Sequence, residues 1–401
     1  MRRRQFVRAG AGAAAIAVAS GSASAQAQTI KVGMVATMSG GGASIGDLMD
    51  KAVRLYQKQH DKDLPSGVKV EVIRRDDGGA NPDVAKRLAT ELVTRDRVSF
   101  LTGFIYTPNA MAVAELATEA KVPTVIMNAG TSVIVRRSPY FARTSFTMWQ
   151  SAYPLAQWAA KQGLKRGYTA VSDYGPGHDI EAAFDKGFTE AGGQIIGKVR
   201  IPLTVVDFAP FMQRIKDEKP DVLCIFVPAG KVATAIMKAY IDLGLHTAGI
   251  KLVGPGDITP DEELPNMADV PSGIVTTMHH YSASSTRPQN VAFVKAWQAE
   301  YGAGSTPSFY SVGAWDAMAA IYHAIIQQGG KLDPDKTMAL LKGWRNPDSP
   351  RGPMGIDAET RDIVQSVYLR RLDRVDGQLR NVEIESFGEV KDPWVRFNPP
   401  R

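Results

Sequence analysis

The chain has 401 residues, 44% of them hydrophobic and 22% charged, which gives enough apolar material for a sizeable core and length for two or three domains. Its formal charge of +6 sits mostly at one end: Arg2, Arg3, Arg4 and Arg8 fall in the first 27 residues, which hold no acid, and the remainder carries 43 basic against 41 acidic residues. No basic face is left to track a nucleic acid, and a single cysteine, Cys224, rules out an internal disulfide.

Residues 1–27 read as an export signal. The charged stretch Met1–Arg8 leads into the small, weakly apolar Ala9–Ser20 and then into small residues that suit a signal peptidase, with cleavage after either Ala25 or Ala27. The run Arg3-Arg4-Gln5-Phe6-Val7-Arg8 resembles a twin-arginine signal, and an ordinary Sec signal is the alternative. The segment is too short to span a bilayer, and nothing later approaches about 18 uninterrupted apolar residues. No cysteine stands at the cleavage site to take a lipid anchor. The mature chain is therefore expected to be soluble in the periplasm.

From Ile30 onward, short β-branched runs alternate with amphipathic helices. Ile30–Ala36 is a predicted strand, followed by a glycine-rich turn and a helix over Asp47–Gln59 with Met49, Ala52, Val53 and Tyr56 on one stripe. Val68–Arg74 is a strand, and Asn81-Pro82 opens a helix as cap and first residue, with Val84, Leu88 and Leu92 repeating behind. Strand Ser99–Leu101, helix Asn109–Ala120 and strand Thr124–Met127 complete a βαβ series, which implies a parallel sheet covered on both faces. A second series runs through helix Ala152–Gln162, strand Tyr168–Ser172, helix Ile180–Ala191, strand Ile195–Ile201 and a helix opened by Asp207. Strand Val222–Val227, helix Val232–Leu243 and strand Lys251–Val253 end it. Cys224, inside that apolar strand, reads as a buried and inert thiol. Helices Asn290–Tyr301 and Val312–Gln328 follow, and the tail holds strands Val364–Leu372 and Glu383–Phe387 around a turn at Asp376-Gly377.

Few residues suggest chemistry. Gly42-Ala43-Ser44-Ile45-Gly46 matches the nucleophile-elbow pattern, but it follows the first strand and no histidine stands in a triad setting, so a Ser44-dependent esterase is a remote alternative. The run Ser39–Ser44 instead brings hydroxyls and backbone N–H groups to a helix start, a place suited to an anionic group. Its glycine spacing does not fit a dinucleotide site. His279-His280 would point to opposite faces of a strand, which is a poor arrangement for one metal ion, and Asp76-Asp77 reads as a solvated turn. No metal, cofactor or catalytic residue is expected.

Taken together, several stretches resemble the periplasmic leucine/isoleucine/valine-binding protein family, the substrate-binding components of branched-chain amino acid ABC transporters. They are Ile30–Ser39, the segment from Thr102-Gly103 to Pro123 with Thr107, Ala110, Ala117 and Val122 in register, and Asn128-Ala129-Gly130-Thr131-Ser132. Asp173-Tyr174-Gly175, Asp207-Phe208, Gly254-Pro255-Gly256-Asp257, Gly313-Ala314-Trp315-Asp316-Ala317 and Arg351-Gly352-Pro353-Met354-Gly355 with Asp357 follow in order, so the resemblance runs from Thr29 to the C-terminus. It implies an α/β fold of two doubly wound lobes, periplasmic binding protein-like of type I, joined by three hinge crossings. Lobe 1 would comprise 29–146 with 281–353, and lobe 2 would comprise 147–280 with 354–401.

The resemblance further implies that a small ligand binds in the interlobe cleft and that the closed form is read by permease subunits at the inner membrane. It places the ligand carboxylate on Thr107, with help from Ala129 and Thr131, and lays Tyr174 across the ligand. It matches Asp257, or else Gly256 by a shift of one, to the acid that pairs with an α-ammonium group. Ser39, Tyr106 and Gly130 complete the expected contacts. The sequence departs from the family at Tyr106-Thr107-Pro108, where a Ser-Ser pair is common, and an aromatic there suits a different ligand. The expected cargo is a hydrophobic or branched-chain amino acid or related small carboxylate. The alternatives are aromatic acids of benzoate or cinnamate type, amides or urea, and a sensory role beside or instead of transport.

Overall fold

Two sheets account for the two alternating series. The computed structural model describes residues 28–399, so the export signal expected over residues 1–27 lies outside the described residues. The first series forms β1 (Gln28–Ala36), α1 (Ala43–His60), β2 (Val68–Asp76), α2 (Pro82–Glu91), β3 (Phe100–Gly103), the short helices α3 (Thr107–Ala112) and α4 (Ala114–Glu119), β4 (Thr124–Ile126) and β5 (Phe141–Arg143). Its five strands are all parallel, in the order β2-β1-β3-β4-β5. The cap predicted for α2 is present: the Asn81 side chain accepts from the Val84 N–H at 3.3 Å, and Pro82 opens the helix. The single helix expected over Asn109–Ala120 is instead broken at Val113.

The second series forms α5 (Met148–Lys161), β6 (Arg166–Ser172), α6 (Gly175–Glu190), β7 (Gln194–Ile201), α7 (Ala209–Glu218), β8 (Val222–Phe226), α8 (Lys231–Asp242), β9 (Lys251–Pro255) and β10 (Val275–His279). Every residue of β8 is buried, as a central strand covered on both faces requires, and burial pushes the Cys224 thiol far above its ordinary range. The chain then returns through α9 (Pro288–Tyr301), α10 (Phe309–Gln327) and α11 (Pro334–Leu341). Apolar nearly all round, α10 is buried against α1 and the ends of β3 and β4, on the side of the smaller sheet. The last passage leads into β11 (Arg345–Asn346), β12 (Met354–Ile356), β13 (Ile363–Val375), β14 (Gln378–Val390) and α12 (Trp394–Phe397). The larger sheet reads β11-β12-β13-β10-β9-β8-β6-β7, with β14 on β13. The tail is thus one long antiparallel hairpin, turned at Asp376-Gly377 with both φ positive (51° and 78°).

The chain therefore crosses between the two α/β lobes three times: between β5 and α5, between β10 and α9, and after α11. Two buried arginines tie these passages. Arg143, at the end of β5, is fully buried and donates Nε and Nη2 to the two oxygens of Asp362, each at 2.7 Å. Its remaining N–H groups reach the carbonyls of Ala129 and Thr131 at 2.9 Å and of Ser132 at 3.3 Å. Arg351 pairs with Asp316 of α10 at 2.9 Å and donates to Ser145 O and to Gln365 Oε1. Removing one partner of such a pair strands a buried charge, at a cost of about 3–5 kcal/mol. Urea unfolding of Arg143→Ala is expected to show a loss of that size, whereas Lys238→Ala, which breaks the exposed Lys238–Asp242 pair, changes stability by less than about 1 kcal/mol.

Candidate functional site

A narrow cavity lies where the carboxyl ends of the two sheets meet. From the smaller sheet it is lined by Ile105, Tyr106 and Thr107 after β3 and by Asn128 and Gly130 after β4. From the larger sheet come Tyr174 and Pro176 after β6, Pro228 after β8 and Asp257 after β9. Ile45, Met148 and Tyr310, from the first turns of α1, α5 and α10, close the sides. A crevice beyond the carboxyl ends of parallel strands is where open α/β sheets bind ligands.

One end of the cavity is built from hydroxyls. Phe104, with φ of 61°, turns the chain sharply after β3, so that Tyr106 adopts an extended conformation before α3 and Thr107 becomes its first residue. Thr107 Oγ1 lies 2.8 Å from Thr131 Oγ1. The first turn of α6 presses on the same pair: a Cβ on Gly175 would sit 3.0 Å from Thr131 Oγ1 and 3.3 Å from Thr107 Cγ2. The Asp179 carboxylate of α6 accepts from the Ser132 N–H at 2.8 Å, and burial lifts that acid to about 6. Two hydroxyls beside the N-terminus of a 16-residue helix favour an anion.

The other end is built around an acid. Asp257 sits in the 3-10 turn Gly256–Ile258, is 4% exposed, and has no hydrogen-bond partner for Oδ2. His279 Nε2 stands 3.8 Å from that oxygen, too far for a good hydrogen bond. Burial pushes the Asp257 carboxyl up to about 7, against the opposing pull of the buried Arg370 guanidinium. Between the two ends the walls are aromatic. Tyr174 stacks on Phe226 at 6.0 Å with an interplanar angle of 20°, and Tyr106 and Tyr310 face the same space. Desolvation raises the phenols of Tyr106, Tyr174 and Tyr310, so all three carry their protons and can donate hydrogen bonds.

Of the residues expected from sequence, Tyr106, Thr107, Gly130, Tyr174 and Asp257 meet in this cavity, and Thr131 stands behind Thr107. The backbone of Ala129 is already engaged, its N–H donating to Phe104 O and its carbonyl accepting from Arg143. Ser39 is exposed in the loop after β1 and does not line the cavity. Ser44 is exposed on the first turn of α1, and Gly46 of the elbow-like pattern is small because α1 lies against the Thr37 carbonyl. His279 and His280 do not splay apart as a strand would dictate, because β10 ends at His279. Their rings lie 4.3 Å apart against Phe146 and Phe309, both held neutral by burial beside Arg351 and Arg370. Among the described residues, no group of three His, Cys, Asp or Glu side chains could hold a metal. Sequence reasoning missed Asn128, Pro228 and Tyr310. The first two stand just past strand ends, where the carboxyl-end rule could have found them, whereas nothing local marks Tyr310.

The periplasmic binding protein family profile matches residues 29–378. A Leu/Ile/Val-binding protein homolog 6 of Brucella melitensis is 42% identical over 370 residues, covering 92% of this chain and 94% of the relative. The crystal structure of a solute-binding protein of an ABC transporter from Rhodopseudomonas palustris BisB5, in complex with 3,4-dihydroxybenzoic acid, is 48% identical with a TM-score of 0.87, covering 91% of this chain and 99% of that one. One from Rhodopseudomonas palustris HaA2, in complex with p-hydroxybenzoic acid, is 43% identical with a TM-score of 0.89, covering 92% and 99%.

The packing behind Asp257 is tight, since a Cβ on Gly256 would collide with Arg370 Nη2 and fall 2.7 Å from His279 Cβ and Cγ. Gly256→Ala is therefore expected to cost about 1–3 kcal/mol by overpacking, read as a lowered urea midpoint with unchanged slope.

Proposed function

Because the chain belongs to the periplasmic binding protein family, we propose that it is the receptor of an ABC importer for ring-hydroxylated aromatic carboxylates, held in the cleft between its lobes. It is a periplasmic solute-binding protein and not an enzyme, and its family works with ABC transporter permease subunits and a small-molecule ligand. The identity of the cargo, the residues that hold it and the division into lobes at 29–146 with 281–353 and 147–280 with 354–401 are our reading.

One observation carries that reading: the cavity has an anion-suited end and an acid end, with aromatic walls between them. The strand ends bearing Gly175 and Asp257 are separated by β8, two strand spacings or about 10 Å apart. A flat ring with a carboxylate on one side and a hydroxyl on the other suits that span, its carboxylate toward Thr107 and Thr131 and its hydroxyl toward Asp257. The solved relatives carry dihydroxy- and hydroxybenzoic acids at 43–48% identity, which supports the same choice. The branched-chain amino acid expected from sequence loses ground on physical terms. An α-ammonium would have to ionise an acid that burial raises to about 7, a cost that a neutral hydroxyl avoids. Contacts to both lobes would favour closure, since only a higher affinity for the closed form can shift the population toward it.

Calorimetric titration tests this. Binding is expected to be strongest for 4-hydroxybenzoate and 3,4-dihydroxybenzoate and weaker for benzoate, and L-leucine is expected not to displace them. Efficient displacement by leucine would sink the reading. Tyr174→Ala is expected to weaken 4-hydroxybenzoate binding about tenfold while leaving thermal unfolding of the free protein little changed. The affinity should also depend on pH. A ligand carboxylate in the same cavity favours the neutral acid and so raises the Asp257 carboxyl above its free value of about 7. Affinity is then full below pH 7 and falls as pH rises through it, by at most about tenfold per unit. Asp257→Asn should flatten the profile, and a profile unchanged by that substitution would remove Asp257 from the site.

A further inference from the structure

Tyr240 and Tyr368, both buried, spend their hydroxyls inside the protein, on Ile250 O and Arg351 O at 2.7 Å each. Tyr310 differs. It is 2% exposed and lines the cavity, and its hydroxyl hydrogen-bonds no group among the described residues. The ring is held from behind. Ser308 N–H donates to Ser311 Oγ at 3.2 Å where α10 begins, and a Cβ on Gly313 would collide with the Met127 carbonyl, so the helix start lies tight against the end of β4. Phe309 packs on Tyr310 with ring centroids 4.0 Å apart and on His279 at 4.3 Å, and His279 Nε2 stands 3.8 Å from Asp257 Oδ2. Tyr310 is thereby set at the acid end of the cavity. Burial raises its phenol, and the charges of Asp257 and then Glu262 add to that. Glu262 is turned toward its own N–H and Ser308. Asp257 accepts from its own N–H and faces Arg370, and its Oδ2 is left without a hydrogen-bond partner.

We propose that Tyr310 is a specificity-determining residue of the cleft, its hydroxyl donating to the ring hydroxyl of the ligand while Asp257 accepts from that same group. The proposal rests on the reading of the cleft as an aromatic-carboxylate site and adds what its far end selects. A phenolic hydroxyl both donates and accepts, so it answers Asp257 and Tyr310 together. An aromatic amine donates to Asp257, but its lone pair is spread into the ring and accepts poorly, which leaves the Tyr310 hydroxyl unpaired. A methoxy group accepts from Tyr310 and gives Asp257 no proton. An unsubstituted ring serves neither. A site built around a hydroxyl rejects analogues that lack it, because its own buried polar groups are then left without partners. The two residues also come from different sides, Tyr310 on α10 beside the smaller sheet and Asp257 after β9 of the larger one. A ring hydroxyl between them is thus a contact that favours the closed cleft.

Calorimetric titration of the unaltered protein should rank 4-hydroxybenzoate at least about tenfold above 4-aminobenzoate and 4-methoxybenzoate. Tyr310→Phe keeps the ring and its packing on Phe309 and removes one oxygen. It is expected to lower 4-hydroxybenzoate affinity about tenfold and 4-aminobenzoate affinity less than about twofold, so that the preference between them nearly disappears. A residue that only shaped the wall would weaken both ligands alike and keep the preference. Because the hydroxyl has no internal partner to lose, the melting temperature of the ligand-free variant should not fall. Equal binding of hydroxyl and amine by the unaltered protein, a preference that survives Tyr310→Phe, or a lowered melting temperature would each overturn the proposal. If 4-hydroxybenzoate does not bind the unaltered protein at all, the cleft reading falls and this one with it. If it binds and Tyr310→Phe leaves the preference intact, only this one falls.

Discussion

The Arg143 guanidinium has five N–H groups, and all five are used inside the protein. Two go to the Asp362 carboxylate, which follows the third crossing, and three go to carbonyls of the loop 129–132, which lines the cleft. Such a cation is costly to bury unless its donors are matched, because the desolvation cost can otherwise exceed the attraction gained. The consequence is positional. Satisfying Arg143 fixes the first crossing, the third crossing and the cleft loop relative to one another, and Arg351 does the same for Ser145, Asp316 and Gln365. The crossings are thereby held by a defined set of buried, paired charges.

That arrangement decides what the cleft can hold. The loop fixed by Arg143 carries Thr131, whose hydroxyl meets Thr107, and the N-terminal turn of α6 closes on that pair from the other lobe. The anion-suited end is therefore assembled from both lobes. The acid end belongs to the larger sheet, where Gly256 lets the turn lie flat against His279 and Arg370. Burial there raises the Asp257 carboxyl to about 7, so that in its neutral form it can both accept from and donate to a hydroxyl. On the proposed reading, selectivity follows from where the sheet ends place one acid and two hydroxyls, with tyrosines forming the walls between.

The same logic distinguishes a cleft for an aromatic acid from one for a zwitterion. An amino acid needs two full and opposite charges answered within a few ångströms, whereas an aromatic acid needs one charge answered at one end and a hydrogen bond at the other. The fold serves either, because the βα loops at the carboxyl ends can change without disturbing the sheets that carry them. A fold shared with amino acid receptors therefore says little about cargo.

Sequence alone determined the two α/β series, because alternation of apolar runs and amphipathic stripes is local and survives without tertiary context. It marked the cap at Asn81, the buried Cys224 strand and the hairpin turn at Asp376-Gly377 for the same reason: each depends on neighbours within a few residues. It reached Thr107, Tyr174 and Asp257 only through resemblance. What tertiary structure alone decided were relations across the chain. Asp362 lies 219 residues from Arg143, Tyr310 reaches the cleft from the first turn of α10, far along the chain from the strand ends it faces, and the rings of His279 and His280 meet because their strand ends between them. Ala129 and Ser39 look like ligand contacts in sequence, yet one spends its backbone on Phe104 and Arg143 and the other stands in solvent. Those outcomes turn on burial and on distant charges, and neither is a property of a short stretch of residues.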